Sequence, residues 1–178
     1  YLKSFSNINK FLDYICLIFK HIFKEEIILI IPLNYEGEIW NENIKISANN
    51  EFLKIQEEIN IFLNQFNFSK NFKIKEILSF ENALKNNFKG YIIKTEKILS
   101  RGKCRGFIYI FSKNISCDSI TEDSNFNFIQ NCLAVGLENY CLIKTKKKHE
   151  NVDREISTGA EIQSQLLPDY CPTIYGVD

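Results

Sequence analysis

The sequence predicts an α+β domain in which helices pack on a largely antiparallel sheet, with a long helix on its C-terminal side. Three observations predict this. Apolar residues recur every three or four positions in three segments, which is typical of amphipathic helices. Between these segments lie short runs of β-branched and aromatic residues, and turn residues join them into hairpins. A chain of 178 residues, 45% of them hydrophobic, is also long enough to bury a core.

The first third of the chain predicts the order helix, strand, strand, helix. The first helix is indicated by apolar residues spaced by three and four: Ile8, Leu12, Ile15, Phe19 and Ile22. Residues 27–33 are too few and too β-branched for a core helix, so we expect a buried strand. Turn residues at 34–37 lead into a second strand over 38–47, and residues 50–66 repeat the helical spacing.

The remainder predicts about three strands and a long helix. The elements are, in order, a short strand over 73–78, a loop or one helical turn over 82–89, strands over 90–99 and 104–113, and a polar loop over 114–124. The long helix begins at Asn125. Its first part is marked by the apolar residues Ile129, Leu133, Val135, Leu137, Tyr140 and Ile143.

Charge and cysteine content argue against several classes of function. The 22 basic and 22 acidic residues cancel, so no net charge attracts nucleic acid or an anionic membrane. The basic cluster at 144–148 is interpreted as a solvated helix face. No apolar run approaches the ~20 residues that span a bilayer. The six cysteines lack the close spacing of zinc ligands, so we expect free thiols in a cytoplasmic protein.

Four segments, residues 102–110, 120–123, 128–134 and 137–139, occur in an order that resembles a GAF domain, and the resemblance covers residues 7–145. Such domains typically show a glycine before the last long strand and an acidic residue opening the final helix. Here Gly106 permits a tight approach at the start of the strand over 104–113, and Glu122 and Asp123 suit a helix N-terminus. The resemblance implies a sensor with a pocket between the sheet and its helices. Its small-molecule ligand is unknown, and another sensor fold such as PAS stays open.

The segment from Glu155 to Gly176 carries a more specific pattern. An apolar helical stripe stops at Pro168, which cannot continue a helix. The pattern consists of Glu155-Ile156, Gly159, Ile162-Gln163, Leu166-Leu167-Pro168, Pro172 and Gly176. It resembles the junction at which PPM-type serine/threonine phosphatases of the SpoIIE/RsbU group begin, often behind a GAF or PAS sensor. Gly159 replaces the usual alanine, and because glycine costs roughly 1 kcal/mol in a helix, it softens this one.

This resemblance divides the chain into a sensor domain over 7–145, a signalling helix over 146–167 and the start of a phosphatase domain over 168–178. We expect a homodimer held by a coiled coil. Its stripe consists of Val152, Ile156, Gly159, Ile162 and Leu166. The junction motif consists of Gln163, Leu167, Pro168, Pro172 and Gly176.

Catalysis is expected outside these residues. In the phosphatase family, aspartates that include a Gly-Gly-Asp motif bind Mn²⁺ or Mg²⁺, which activate a water. The sequence contains no Gly-Gly-Asp, and both ends look like cuts, so we expect no catalytic residue, metal ligand or cofactor in this chain. The resemblance implies a phosphoprotein substrate, such as an anti-sigma-factor antagonist.

Two alternatives stay open: a non-enzymatic GAF- or PAS-like dimerisation and docking module, and the sensor domain of a histidine kinase or cyclase. His149 lies in a stretch superficially like a kinase phosphoacceptor box, but the arginine and proline of that box are missing. We interpret it as solvated, and His21 as a boundary residue rather than a ligand of haem or metal. Cys104 and Cys117 are the candidates for redox chemistry.

Overall fold

The computed structural model describes residues 7–66, 76–113 and 117–166. The chain divides into two compact units, Tyr1–Leu142 and Ile143–Asp178. The first contains a sheet with helices packed on it, and the second contains the C-terminal part of the last helix. Over the described ranges, no helix combines the length and the apolar character needed to cross a membrane.

The predicted α+β class is confirmed: an antiparallel sheet is flanked by helices, and a long helix follows. The elements are α1 Ile8–Ile22, β1 Ile27–Pro32, β2 Lys45–Ser47, α2 Leu53–Gln65, α3 Ile77–Asn87, β3 Ile92–Ser100, β4 Lys103–Ser112, α4 Cys117–Glu122 and α5 Ser124–Leu166. Short 3-10 turns at Asn41–Asn43 and Asn50–Phe52 precede β2 and α2.

The four strands form one sheet in the order β2-β1-β4-β3, and every neighbouring pair is antiparallel. In its centre, Ile28 of β1 lies opposite Ser47 of β2 on one side and Ile110 of β4 on the other. Every residue of β1 is buried. Because both faces of the central strands are covered, their sequences are continuously apolar rather than alternating.

Alternate residues of the central strands point into two separate cores. The core beneath α1, α4 and the start of α5 contains Ile28, Ile30, Ile98, Ile108 and Ile110 from the sheet. The core beneath α2 and α3 contains Leu29, Ile31, Phe107, Tyr109 and Phe111. The sheet therefore separates an α1/α5 layer from an α2/α3 layer.

Two glycine positions explain the shape of β4. Arg101 and Gly102, with φ values of 50° and 74°, form the two-residue turn from β3, the left-handed geometry that tight hairpins favour. A Cβ on Gly106 would lie 2.7 Å from the carbonyl oxygen of Ile31 and 3.0 Å from Cδ1 of Ile98. The close approach predicted at Gly106 is therefore confirmed.

Several local predictions were wrong. Ile77 and Leu78, predicted in a strand, open α3. This helix also contains residues 82–87 of the segment predicted as a loop or one helical turn over 82–89, and residues 73–75 lie outside the described ranges. The helical stripe Ile77, Phe80 and Leu84 packs into the core, and that burial favours a helix. The predicted polar loop at 114–124 contains α4.

Three predictions were right only in part. The second strand, predicted over 38–47, is interrupted by a 3-10 turn, so only Lys45–Ser47 pairs regularly with β1. Ile22 in the last turn of α1 is exposed, whereas the other four residues of the predicted stripe are buried. Val135, expected among the apolar residues of α5, points to solvent.

Candidate functional site

The start of α5 is set by Asp123. Its Oδ1 accepts a hydrogen bond from the backbone N–H of Asn125 at 2.6 Å, which satisfies a donor that the first turn of a helix leaves free. The predicted acidic helix start is therefore confirmed for Asp123. Glu122, predicted in the same role, instead ends α4.

A buried ion pair joins α5 to the sheet. Nε of Arg105, on β4, donates to Oε2 of Glu138, on α5, and each residue keeps only 7% of its surface exposed. Such a pair holds its two elements at one position, because separating the charges would leave each of them buried and unpaired. Beside it, burial raises the pKa of the Cys141 thiol, with Arg105 lowering it and Glu138 raising it.

The same part of α5 contacts the connection between β1 and β2. The rings of Trp40 and Tyr140 lie 5.0 Å apart between centroids, tilted by 38°. At the end of β1, the backbone N–H of Leu33 donates to the carbonyl oxygen of Arg105 at 2.9 Å. The helix, the ion pair and this connection therefore form one packed region.

Helix α1 runs antiparallel to the start of α5 and contacts it closely. The rings of Phe19 and Phe126 lie 5.9 Å apart at one end. At the other end, the ring of Phe11 covers Gly136 so closely that a Cβ on this glycine would overlap it. Gly136 therefore allows Phe11 to lie directly on the backbone of α5.

Above this contact lies a largely apolar surface, which we call the α1–α5 surface. It consists of Phe11, Tyr14, Ile18, Phe128, Cys132, Val135 and Leu142. A groove of about 440 Å³ runs between Phe11 on α1 and Phe128, Cys132 and Val135 on α5. The described residues that line this groove are apolar or uncharged. The largest exposed apolar patch of a soluble protein is often functional, which makes this surface a candidate site.

The opposite layer, where the resemblance implies a sensor pocket, is packed with aromatic rings. The cluster consists of Phe62, Phe66, Phe80, Phe88, Tyr109 and Phe111. The ring centroids of Phe66 and Phe80 are 5.0 Å apart and the ring planes are tilted by 77°, which is the edge-to-face arrangement that aromatic pairs prefer. Burial raises the pKa of the Tyr109 hydroxyl. These rings join α2 and α3 to β4.

A second groove, of about 340 Å³, lies beside the edge strand β2. There Nζ of Lys45 lies 2.7 Å from Oδ1 of Asp13, and Oγ of Ser47 donates to the carbonyl oxygen of Cys16 at 2.6 Å. Burial raises the pKa of Cys16 to about 12, with Lys45 lowering it and Asp13 raising it. Because the thiolate is the reactive form, Cys16 is a poor nucleophile at neutral pH.

The predicted dimer stripe lies on the helix of the second unit. Val152, Ile156 and Ile162 are exposed. Among the described residues, no atom outside the surrounding turns of the helix lies within 4 Å of the position of a Cβ on Gly159. Leu166 is the last residue of α5.

The junction motif is only partly described. Gln163 is exposed on α5. Leu167, Pro168, Pro172 and Gly176 lie outside the described residues. The motif therefore remains a prediction from sequence.

The other candidate side chains are placed as follows. His21 and His149 are both exposed. Cys104 is half-buried, and its Sγ donates to the carbonyl oxygen of Gly106 at 3.4 Å. Cys117 lies in α4, and the position of its thiol is not described. In the part of the chain that the structure describes, no three His, Cys, Asp or Glu side chains are grouped to hold a metal ion.

Sequence reasoning missed the ion pair and the α1–α5 surface. A signal existed for the ion pair. Arg105 is the one charged residue in the sequence from 104 to 112, and Glu138 is the one charged residue from 124 to 142. Buried charges are rarely unpaired, so these two were candidates for each other.

Comparison of the chain with models of protein families, with curated proteins and with solved structures gave no match.

Proposed function

We propose that this chain is the cytoplasmic regulatory module of a PPM-type serine/threonine phosphatase. Residues 7–145 act as a GAF-like sensor, and the helix that follows relays the state of the sensor to a catalytic domain. One observation carries the proposal: Ile156 and Ile162, two apolar residues of the phosphatase junction pattern, are both exposed on α5.

The exposed stripe supplies the means of relay. Burying a side chain such as Ile156 or Ile162 against another helix stabilises the pair by about 1.5–3 kcal/mol per side chain. Two copies of the helix therefore gain by pairing along the stripe. Gly159 weakens the helix at this point, so that the pair can shift between two packings.

The buried ion pair supplies the link to the sensor. Because Arg105 and Glu138 hold α5 against β4, a ligand or partner that moves β4 also moves the start of α5. The domain responds in this way whether the signal is a small molecule or a protein.

The test begins with the coding sequence that follows Asp178. A Gly-Gly-Asp segment within a few dozen residues is expected, and the longer protein should release phosphate from phosphoserine or phosphothreonine peptides when Mn²⁺ or Mg²⁺ is added. A phosphoacceptor box or a GGDEF-like segment in its place would contradict the proposal.

The relay is tested in that longer protein by Ile156→Glu. A charge on the stripe should change the phosphatase rate, because it prevents the helices from pairing. Leu78→Glu on α3, at a side chain with similar exposure, is the control and should leave the rate unchanged. Equal rates for the two variants would sink the relay and leave the family assignment standing.

A docking module without a small-molecule ligand is the second candidate. The aromatic packing between β4 and the α2/α3 layer favours it, because these rings occupy the side of the sheet where a sensor pocket is expected. A thermal-shift screen of nucleotides, haem and common metabolites separates the two candidates. Stabilisation by one compound supports the sensor, and no stabilisation supports docking.

A further inference from the structure

We propose that a second copy of this chain docks on the α1–α5 surface, so that the two surfaces face each other across a two-fold axis. This inference goes beyond the proposed function. It concerns residues within Tyr1–Leu142 and requires neither the predicted dimer stripe nor a phosphatase domain. Charge, spacing and area support it separately.

The first part of α5 is free of exposed charge, which favours a contact between two copies. Glu138 is the one charged residue between positions 124 and 142, and it is buried against Arg105, so this part of α5 presents no charge to solvent. Helix α2, in contrast, exposes Glu57 and Glu58 on its outer side. Depletion of charge distinguishes the centre of an interface from ordinary protein surface. A neutral surface is best complemented by another neutral surface, and a second copy presents one.

The spacing of exposed apolar residues on α5 favours the same contact. On the side of α5 that faces away from the sheet, Phe128, Val135 and Leu142 are exposed and seven residues apart. A helix that only covers a sheet has no need for apolar residues on that side. A repeat of seven keeps apolar residues on one seam along a helix, and such a seam packs against a matching seam. In a two-fold arrangement, each copy supplies the match for the other.

The area of the α1–α5 surface is close to what a stable dimer needs. Phe11 packs directly on Gly136, which brings α1 close to α5. Tyr14 and Ile18 follow Phe11 by three and seven positions on α1, so these exposed residues widen the apolar surface of α5. From their exposed fractions, the large apolar side chains of the α1–α5 surface offer on the order of 500 Å². A stable interface buries about 800 Å² per partner. If the contact has this size, about 500 of its roughly 800 Å² per partner is apolar, a fraction close to the ≈65% apolar area of homodimer interfaces.

Sedimentation equilibrium of the full 178-residue chain with Val135→Glu tests the inference. Two glutamates brought together in an apolar contact should weaken self-association by about a hundredfold or more. The matched control is Ile61→Glu on α2, because Ile61 is 56% exposed and Val135 is 57% exposed. The control should associate as the unchanged chain does.

A second variant covers the far end of the groove. Phe128→Glu should also weaken association, while Leu78→Glu, at a position of equal exposure (68% against 69%), should not. A monomeric unchanged chain, or Val135→Glu and Phe128→Glu chains that associate like their controls, would overturn the inference.

Ile156→Glu keeps this test separate from the proposed function. If this variant alone weakens association, the contact is the exposed stripe and the α1–α5 surface is not an interface. If Val135→Glu alone weakens it, the α1–α5 surface is the interface and the helical relay fails.

Discussion

The two parts of α5 contain the same kinds of feature in opposite settings. Residues 124–142 carry a member of an ion pair, a glycine and exposed apolar side chains, and so do residues 143–166. In the first part the ion pair is buried and the glycine is covered by a ring. In the second part the pair between Lys146 and Glu150, at 3.7 Å, is exposed, and Gly159 is open. The contribution of a residue to stability therefore depends more on whether neighbouring elements bury it than on its residue type or on the helix that contains it.

The ion pairs should show the largest difference. Arg105→Ala leaves Glu138 buried without its partner, so the free energy of unfolding should fall by about 3–5 kcal/mol. Lys146→Ala breaks a solvated pair and should change it by less than about 0.5 kcal/mol. Urea unfolding followed by circular dichroism measures both.

Replacing both buried charges checks the cause. The double variant Arg105→Met/Glu138→Met should recover much of the stability that Arg105→Ala loses, because no charge is then left buried. Equal small losses for Arg105→Ala and Lys146→Ala would break the contrast between the two parts of the helix.

The covered glycine should show the next largest effect. Gly136→Ala places a methyl group where the ring of Phe11 lies, and forcing that ring aside should cost about 1–3 kcal/mol. This loss exceeds the gain that alanine brings to a helix. Adding Phe11→Ala should make Gly136→Ala harmless or favourable, since the space is then free. If Gly136→Ala alone is stabilising, the close contact is absent in solution.

The open glycine should show the smallest effect, with the opposite sign. Gly159→Ala should stabilise the helix by up to about 1 kcal/mol, because alanine has the higher helix propensity and no neighbouring element in the described part of the chain opposes its Cβ. Slower amide hydrogen exchange at residues 155–163 is the readout. Unchanged or faster exchange would show that Gly159 is not a weak point of the helix.

Sequence patterns predicted the elements whose periodicity is strong. The continuously apolar run at 27–33, the hairpin with its turn at Arg101 and Gly102, and the long helix are all present. Region 76–88 was misjudged because Ile77, Phe80 and Leu84 are spaced among polar residues that also suit a loop. The helix is favoured because these residues are buried against β4, and such tertiary contacts cannot be read from the local sequence.

The candidate site was less predictable for a related reason. The repeat of Phe128, Val135 and Leu142 was visible in the sequence, but apolar residues on a helix are usually assigned to its core. Only the structure shows that Ile129, Leu133 and Leu137 lie in the core. The three residues of the repeat lie outside it and are exposed. Phe11 and Gly136 are likewise far apart in sequence, so their contact left no local pattern.

Copies of this chain should meet through α1 and α5 and not through the α2/α3 layer. ¹H–¹⁵N correlation spectra distinguish these surfaces when the series of protein concentrations spans the dissociation constant measured by sedimentation equilibrium. Shifts and broadening are expected on α1 and α5 as concentration rises, while amides of α2 and α3 stay unchanged. A chain that is monomeric throughout the series, or changes confined to α2 and α3, would contradict this contact.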